Sequence, residues 1–264
     1  MFAAMAIDYV LAVECEPQRA LGTERLVQLN RTRILARSML AHMREDGDAR
    51  DPRDIEIQLT MRNPGGDSAR GVTLADLLAE AAPLDDVKSA CASCPAGFTH
   101  DFGCHRRIRY PVPERVEEWL MRRLPTSLAT TAGIFLVRAL GDFGWDGAPT
   151  AKLRAAGTTY FESRVPYGAR WQGDDGVIEL SADQLFQMMF LVGNLEPAHC
   201  LMLALFTGVI PHDVPIAELK DDRARLLASV HVATEPDPEI EQLAAFLRML
   251  AVAARLDTKI VVDG

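Results

Sequence analysis

Alternation of hydrophobic and polar residues predicts several short strands. In residues 54–62 every second position is apolar, which is typical of a half-buried strand: Ile55, Ile57, Leu59 and Met61. Residues 6–14 are rich in β-branched residues and predict a strand that ends before Pro17. Further strands are expected at residues 160–172, 177–180 and 259–262, the first two forming a hairpin around residues 173–176.

Apolar residues at spacings of three to five predict helices in most of the remaining chain. The longest is expected over residues 18–45, and residues 128–140 predict a more apolar one. Thr73 with Asp76, and Ser181 with Gln184, have the spacing of a capping box and predict helix starts. Prolines suited to a first helical turn predict further starts at Pro113, Pro197 and Pro238.

The order of these elements decides the predicted fold class. Helices and strands do not alternate as repeated βαβ units, which argues against a doubly wound parallel sheet. We therefore expect an α+β fold that is helix-rich, with a small mixed sheet and a Cys-rich metal-binding loop. A single globular domain over residues 1–264 is expected, with one weak candidate boundary at residues 141–150.

Composition excludes some classes of protein. The 264 residues are 48% hydrophobic and carry a formal charge of −9, values that exclude a disordered chain and do not indicate nucleic-acid binding. Residues 1–13 lack the basic segment of a secretory signal, and no apolar run predicts a membrane span. Five cysteines, an odd number, favour free thiols in the cytoplasm.

The cysteines give the strongest candidate site. Cys91 and Cys94 form a Cys-x-x-Cys pair, and Cys104 with His105 follows shortly after. This spacing is typical of zinc sites and of iron–sulfur clusters, both of which commonly take four ligands. Cys15, at the end of the first predicted strand, is the first choice for the fourth ligand, followed by His105 and then His100. Cys200 lies in an apolar helix and is expected to be a buried, inert thiol.

These observations lead to three hypotheses about function. The first is a cytoplasmic metal-binding protein whose site of four thiolates holds zinc in a structural or regulatory role. The second is an iron–sulfur protein or redox enzyme that uses the same cysteines, and the third is a helical oligomeric scaffold without metal. A metal-free dithiol pair has less support, because the segment reads as a loop. Whether the chain is an enzyme is left open.

Arginines follow the cysteine cluster directly. Arg106, Arg107 and Arg109 are expected to bind a small anion, as part of a cofactor or substrate, or to contact a protein partner. The alternative is an exposed face whose arginines pair with nearby glutamates. The apolar helices predicted over residues 128–140 and 185–210 make a homo-oligomer a further expectation.

Overall fold

The computed structural model describes residues 6–63, 66–173, 176–228, 230–234 and 236–263, and it leaves the side chains of residues 59–68 undescribed. Its α+β architecture, rich in helix and with small sheets, confirms the predicted class. The chain divides into two compact units. Unit 1 contains the described residues of Met1–Ala12 and Arg106–Gly264, and unit 2 is Val13–His105.

Unit 2 is a helical unit with one β-hairpin. Its helices are α1 (Glu16–Leu21), α2 (Thr23–Glu45), α3 (Leu74–Glu80) and α4 (Pro83–Val87), and its strands are β2 (Glu56–Asn63) and β3 (Gly66–Thr73). Short 3-10 helices span Pro52–Asp54 and Lys88–Ser93. Strands β2 and β3 pair antiparallel from Glu56 opposite Thr73 to Asn63 opposite Gly66.

A small apolar core holds unit 2 together. It packs α2 against α3 and buries Ala36, Ile55, Val72, Leu74 and Leu77. Burying an aliphatic side chain of this kind stabilises a fold by roughly 1.5–3 kcal/mol. The helix expected over residues 18–45 is broken at Gly22, whose φ of +77° favours glycine and separates α1 from α2.

Unit 1 combines a three-stranded sheet, a hairpin and most of the helices. The sheet has the order β4-β1-β7, formed by β4 (His105–Arg109), β1 (Ala6–Leu11) and β7 (Ile260–Asp263). The hairpin pairs β5 (Gly168–Gly173) with β6 (Gly176–Ser181). The helices are α5 (Glu114–Met121), α6 (Thr131–Phe143), α7 (Ala148–Ala155), α8 (Ala182–Phe190), α9 (Pro197–Phe206), α10 (Ile216–Asp221), α11 (Arg223–Ala228) and α12 (Pro238–Leu256).

The core of unit 1 is centred on the long helix α12, which packs against α9. Aromatic rings continue this core from the sheet to α8: Tyr9 contacts Phe246, and Phe246 contacts Phe190 at 4.6 Å between ring centroids. Edge-on and tilted contacts of this kind add about 0.5–1.5 kcal/mol each beyond area burial. No helix within the described residues is long and apolar enough to cross a membrane.

Several predicted boundaries are confirmed, and others are corrected. Both capping boxes are present, since Thr73 and Ser181 each accept the N–H three residues on. The helix expected from residue 128 begins instead at Thr131, because the Thr130 hydroxyl caps it by accepting the N–H of Gly133. Strand β3 is an element that the sequence pattern does not predict. The turn positions 64–65 and 174–175 lie outside the described residues.

Candidate functional site

A short turn positions the first two cysteines of unit 2. Cys91 lies in the 3-10 helix and Cys94 ends it, with the Cys94 N–H donating to the Cys91 carbonyl at 3.1 Å. The chain then reverses through Gly97, which has a φ of +76° and donates its N–H to the Cys94 carbonyl. This hydrogen-bonded turn places Cys91 and Cys94 at its two ends, as the Cys-x-x-Cys spacing predicts.

The loop that follows brings Cys104 to the same region. Phe102 has a φ of +55° and donates its N–H to the Cys91 Sγ atom at 3.3 Å. Gly103 is required here because an added Cβ would lie 2.7 Å from the Phe98 Cβ atom. The Arg33 guanidinium of α2 lies over the Phe102 ring, 4.8 Å from its centroid, and this contact anchors the loop to α2.

The residue that precedes helix α1 supplies the fourth thiol. Cys15 immediately precedes the helix, and Gln18 lies one turn further on. The Gln18 side-chain amide donates to the Cys104 Sγ atom at 3.7 Å. Cys15 itself lies outside the helix, with extended backbone angles, and lines the same cavity as Cys104.

The four thiols share one cavity. It is lined by all four cysteines of unit 2, together with His100 and Phe102 among others, and its volume is about 10 Å³. A cavity of that size holds about one water molecule. All four cysteines are free thiols. Cys104 is buried, whereas Cys15, Cys91 and Cys94 are each partly exposed.

Burial keeps two of these thiols protonated. It raises the pKa of the Cys104 thiol to about 12, and the neighbouring Cys15 adds to the rise. Burial also raises the pKa of Cys91, an effect that the hydrogen bond from the Phe102 N–H opposes. A protonated thiol is a poor nucleophile and a poor metal ligand.

The prediction of a metal-binding protein is wrong. Among the residues that the structure describes, no three or more histidine, cysteine, aspartate or glutamate side chains are grouped to hold a metal ion. The four-thiolate site expected from Cys15, Cys91, Cys94 and Cys104, with His105 as a further ligand, is therefore not formed, and the iron–sulfur alternative fails with it. Metal coordination needs thiolates aimed at one point about 2.3 Å away. The Cys-x-x-Cys spacing sets the backbone turn, but it does not set the direction of the Sγ atoms or the ionisation of the thiols.

The remaining cysteine and histidine candidates lie as follows. His105 is buried where β4 begins, with its backbone N–H donating to the Phe102 carbonyl. His100 lines the cavity and is itself exposed. Cys200 is fully buried in α9, and burial raises its pKa to about 12, in agreement with the inert thiol that the sequence predicts.

The three arginines expected to bind an anion lie on β4. The Arg107 guanidinium pairs with the buried carboxylate of Asp8 on β1 at 3.4 Å. Arg109 is exposed, and its backbone N–H donates to Gln242 of α12. Arg106 is partly exposed. One of the three is thus engaged by an internal carboxylate, and anion or partner binding by these residues stays a prediction.

Sequence reasoning missed a network of buried charges in unit 1. Arg154 of α7 donates to Glu117 of α5, to Asp183 of α8 and to the Ser163 carbonyl, at 2.7–2.9 Å. Its guanidinium also lies 4.2 Å above the Phe161 ring. Nothing in the local sequence marks Arg154, because its charged partners come from two other helices. These contacts join α5, α7 and α8.

A comparison of the chain with protein-family models, with curated proteins and with solved structures finds no match in any of the three.

Proposed function

We propose that unit 2 is a thiol–disulfide switch, in which Cys91 pairs with Cys94 and Cys15 pairs with Cys104 when a peroxide oxidises them. The observation that carries this proposal is the cavity that all four reduced thiols line. Thiols that share a cavity can react with one another once one of them is oxidised.

The first pair matches the geometry that a disulfide needs. A four-residue turn keeps its terminal Cα atoms within about 7 Å, and disulfides join Cα atoms roughly 4.4–6.8 Å apart. The hydrogen bond from the Cys94 N–H to the Cys91 carbonyl closes such a turn. Oxidation of this pair therefore requires little movement of the backbone.

The second pair is supported by Gln18. Its amide contacts the Cys104 Sγ atom, and Cys15 lies one turn before it at the start of α1. Cys15 is also the thiol whose charge has the largest effect on the pKa of Cys104. Both observations support Cys15 as the disulfide partner of Cys104.

The chemistry balances with hydrogen peroxide as the oxidant. A thiolate attacks one peroxide oxygen and becomes a sulfenic acid, and the displaced hydroxide takes up a proton to leave as water. The partner thiol then attacks the sulfenic sulfur and passes its own proton to the departing hydroxide, so that the S–S bond forms and a second water is released. Cys94 and Cys15, both partly exposed, are assigned the first attack. Cys91 and Cys104, whose pKa values are raised, resolve the intermediates.

The size of the cavity favours a switch over a redox enzyme. A space of about 10 Å³ admits no substrate larger than a water-sized molecule. A peroxide can reach the partly exposed thiols from solvent, whereas Cys104 is buried. In a reducing cytoplasm, which the sequence predicts, the thiols would stay reduced until peroxide rises.

Oxidation would have a measurable effect on stability. A Cys15–Cys104 disulfide closes a loop of roughly 90 residues, which in the chain-entropy model stabilises the fold by about 4–5 kcal/mol. The Cys91–Cys94 disulfide closes a loop of only about 4 residues and contributes roughly 2 kcal/mol on the same scale. The long-range pair, which joins the two ends of unit 2, therefore dominates the effect.

The test is peroxide titration of the intact chain, followed by thiol alkylation and peptide mapping. We expect two disulfides, Cys91–Cys94 and Cys15–Cys104, reversed by dithiothreitol. Cys200 is the internal control, because a fully buried thiol in α9 should remain alkylatable only after unfolding and should stay reduced. In a Cys91→Ser variant, a sulfenic acid should persist at Cys94 and react with dimedone.

Three results would contradict the proposal. The first is that the unit 2 cysteines stay reduced at peroxide concentrations that oxidise the unfolded chain. The second is a different pairing, such as Cys15 with Cys91. The third is a stoichiometric metal ion retained by the purified chain and lost in Cys94→Ser, since bound metal would block disulfide formation.

A further inference from the structure

The hydroxyl of Tyr9 is a buried polar group without a partner. Tyr9 lies in β1, the central strand of the three-stranded sheet, and its side chain is fully buried. Within the described residues, its hydroxyl has no hydrogen-bond partner. Leaving a buried hydroxyl unsatisfied is unfavourable, so native proteins rarely keep one unless a bound water, ion or ligand completes it.

Strand alternation places a guanidinium on the same face of the sheet as Tyr9. Arg107 of β4 pairs with Asp8 of the neighbouring β1 at 3.4 Å, so these two side chains share one face. Successive side chains in a strand point to opposite faces, and Arg106 and Tyr9 therefore share the other face. Helix α12 covers that face, because the Tyr9 ring contacts Phe246 at 5.0 Å between ring centroids.

Helix α12 brings a second guanidinium to this region. Arg248 lies two residues after Phe246, and its side chain, 38% exposed, runs back along the helix to contact the Glu241 carboxylate. Gln242, beside Glu241, accepts the backbone N–H of Arg109 at 3.0 Å, so this part of α12 lies against β4. The Arg248 guanidinium is therefore near the edge strand β4 and accessible from solvent.

The pKa of Tyr9 reflects both guanidinium groups. Burial raises this pKa, so the hydroxyl stays protonated and can donate a hydrogen bond. The positive charges of Arg106 and Arg248 oppose the rise and the negative charge of Glu241 adds to it, so all three lie near Tyr9. A guanidinium carries only donors, and three donor side chains therefore meet here. The partner that suits them is an acceptor with a negative charge.

We propose that Tyr9, Arg106 and Arg248 bind a small oxyanion, the phosphate or carboxylate group of a small molecule, between α12 and the sheet. The Tyr9 hydroxyl donates to one oxygen and the guanidinium groups donate to the others, since guanidinium donors match the oxygens of both kinds of group. The anion takes the place of the Glu241 carboxylate on Arg248. All of these residues belong to unit 1, so the site is independent of the thiols of unit 2.

The proposal keeps only one of the three arginines that the sequence suggested for an anion. Arg106 belongs to the site, whereas Arg107 is engaged by the carboxylate of Asp8. Arg109 follows Arg107 by two positions, so alternation places its side chain on the face opposite Arg106. Arg109 is therefore a matched control: it has the same charge, lies on the same strand and is outside the site.

Titration of the full chain with inorganic phosphate, followed by phosphorus NMR at constant ionic strength, tests the proposal. We expect a dissociation constant of roughly 1 mM, because phosphate has very few non-hydrogen atoms. Tyr9→Phe and Arg106→Gln should each weaken binding by at least about tenfold. Arg109→Gln should leave it unchanged within about twofold. Glu241→Gln should tighten binding by about threefold, because it removes a carboxylate that competes for Arg248.

Two further measurements complete the test. Acetate, titrated under the same conditions, separates the two kinds of ligand: tighter binding of phosphate identifies a phosphate group, and tighter binding of acetate identifies a carboxylate. Thermal unfolding in chloride buffer checks the fold of each variant. Tyr9→Phe keeps the ring that packs on Phe246 and removes only the hydroxyl, so its melting temperature should equal or exceed that of the unchanged chain.

Four results would overturn the proposal. The first is that neither anion binds at concentrations up to about 50 mM. The second is that Tyr9→Phe binds phosphate as tightly as the unchanged chain. The third is that Arg109→Gln weakens binding as much as Arg106→Gln, which would show a general attraction to the arginine-rich strand. The fourth is a lower melting temperature of Tyr9→Phe in chloride buffer, which would show that the hydroxyl already has a partner.

Discussion

Replacement of Arg154 by methionine removes the positive charge from the buried network of unit 1 while keeping most of the side-chain volume. In the native network, all five guanidinium N–H groups have acceptors, which are Glu117, Asp183 and the Ser163 carbonyl. The three charged side chains are at most 7% exposed. Methionine would leave two carboxylates buried near each other without a counter-ion.

The expected cost follows from that burial. Removing one partner of a buried ion pair typically destabilises a protein by about 3–5 kcal/mol, and we expect about 4 kcal/mol for Arg154→Met. Arg170→Met is the matched control: Arg170 pairs with Glu179 at 3.0 Å, but its side chain is 76% exposed. Its loss should cost no more than about 0.5 kcal/mol.

The pH dependence of the free energy of unfolding tests whether the loss of the Arg154 charge causes the destabilisation. Burial raises the pKa of Glu117, and the Arg154 guanidinium opposes this rise. Without Arg154, the pKa of Glu117 should rise further, so the folded state binds a proton that the unfolded state has released. The stability of Arg154→Met should therefore decrease as the pH rises above about 4.5, more steeply than that of the unchanged chain.

Urea denaturation followed by circular dichroism at several pH values measures both effects. Adding Glu117→Gln to Arg154→Met should recover part of the loss, because it removes one unpaired charge. The reasoning would be refuted if Arg154→Met cost less than about 1 kcal/mol at pH 7, or if its pH dependence matched that of Arg170→Met.

Two further predictions concern unit 1. Burial lowers the pKa of His199 from 6.5 to about 4. As the pH falls, His199 is therefore protonated in the unfolded state before it is protonated in the folded state. The free energy of unfolding should accordingly fall by about 3 kcal/mol between pH 6.5 and pH 4. His199→Gln should flatten urea-unfolding stability across that window, and an unchanged slope would contradict the assignment. Gly133→Ala should lower the melting temperature, at a cost of roughly 1–3 kcal/mol, because its Cβ would lie 2.4 Å from the Leu128 Cα atom. Gly141→Ala is the control on the same helix, because its Cβ would meet nothing within 4 Å, and it should raise the free energy of unfolding by about 0.5–1 kcal/mol. Equal effects of the two substitutions would be evidence against the clash at Gly133.

Local features of the sequence predicted local structure well. The capping boxes at Thr73 and Ser181 are formed by side chains and N–H groups three residues apart, so the sequence contains all of their partners. Strand β3 was missed because its residues Gly66–Thr73 lack an alternating apolar pattern, and its pairing partner β2 defines it instead. The break at Gly22 shows how one glycine can interrupt a continuous helical periodicity.

The candidate site was predicted in part. The cysteine spacing predicted Cys91, Cys94 and Cys104 as ligands of one metal ion, with Cys15 as the fourth, whereas the structure shows these four residues lining a small cavity. The chemistry assigned to them was wrong because ligand geometry depends on side-chain directions and on the burial that raises the pKa of Cys104. Arg154 could not have been selected, because its three partners are brought to it by tertiary packing.

The pairing of β1 with β7 has a consequence for synthesis of the chain. Asp8 lies opposite Asp263, so β1 finds this neighbour only after about 250 further residues have been made. At typical translation rates of about 5–20 residues per second, that interval is roughly 12–50 seconds. Throughout it, an apolar strand containing Val10 and Leu11 leaves the ribosome without β7, whereas all the residues of unit 2 have been made well before the interval ends. The edge of β1 that pairs with β7 should therefore stay open in the nascent chain for far longer than the edge of β2 that pairs with β3.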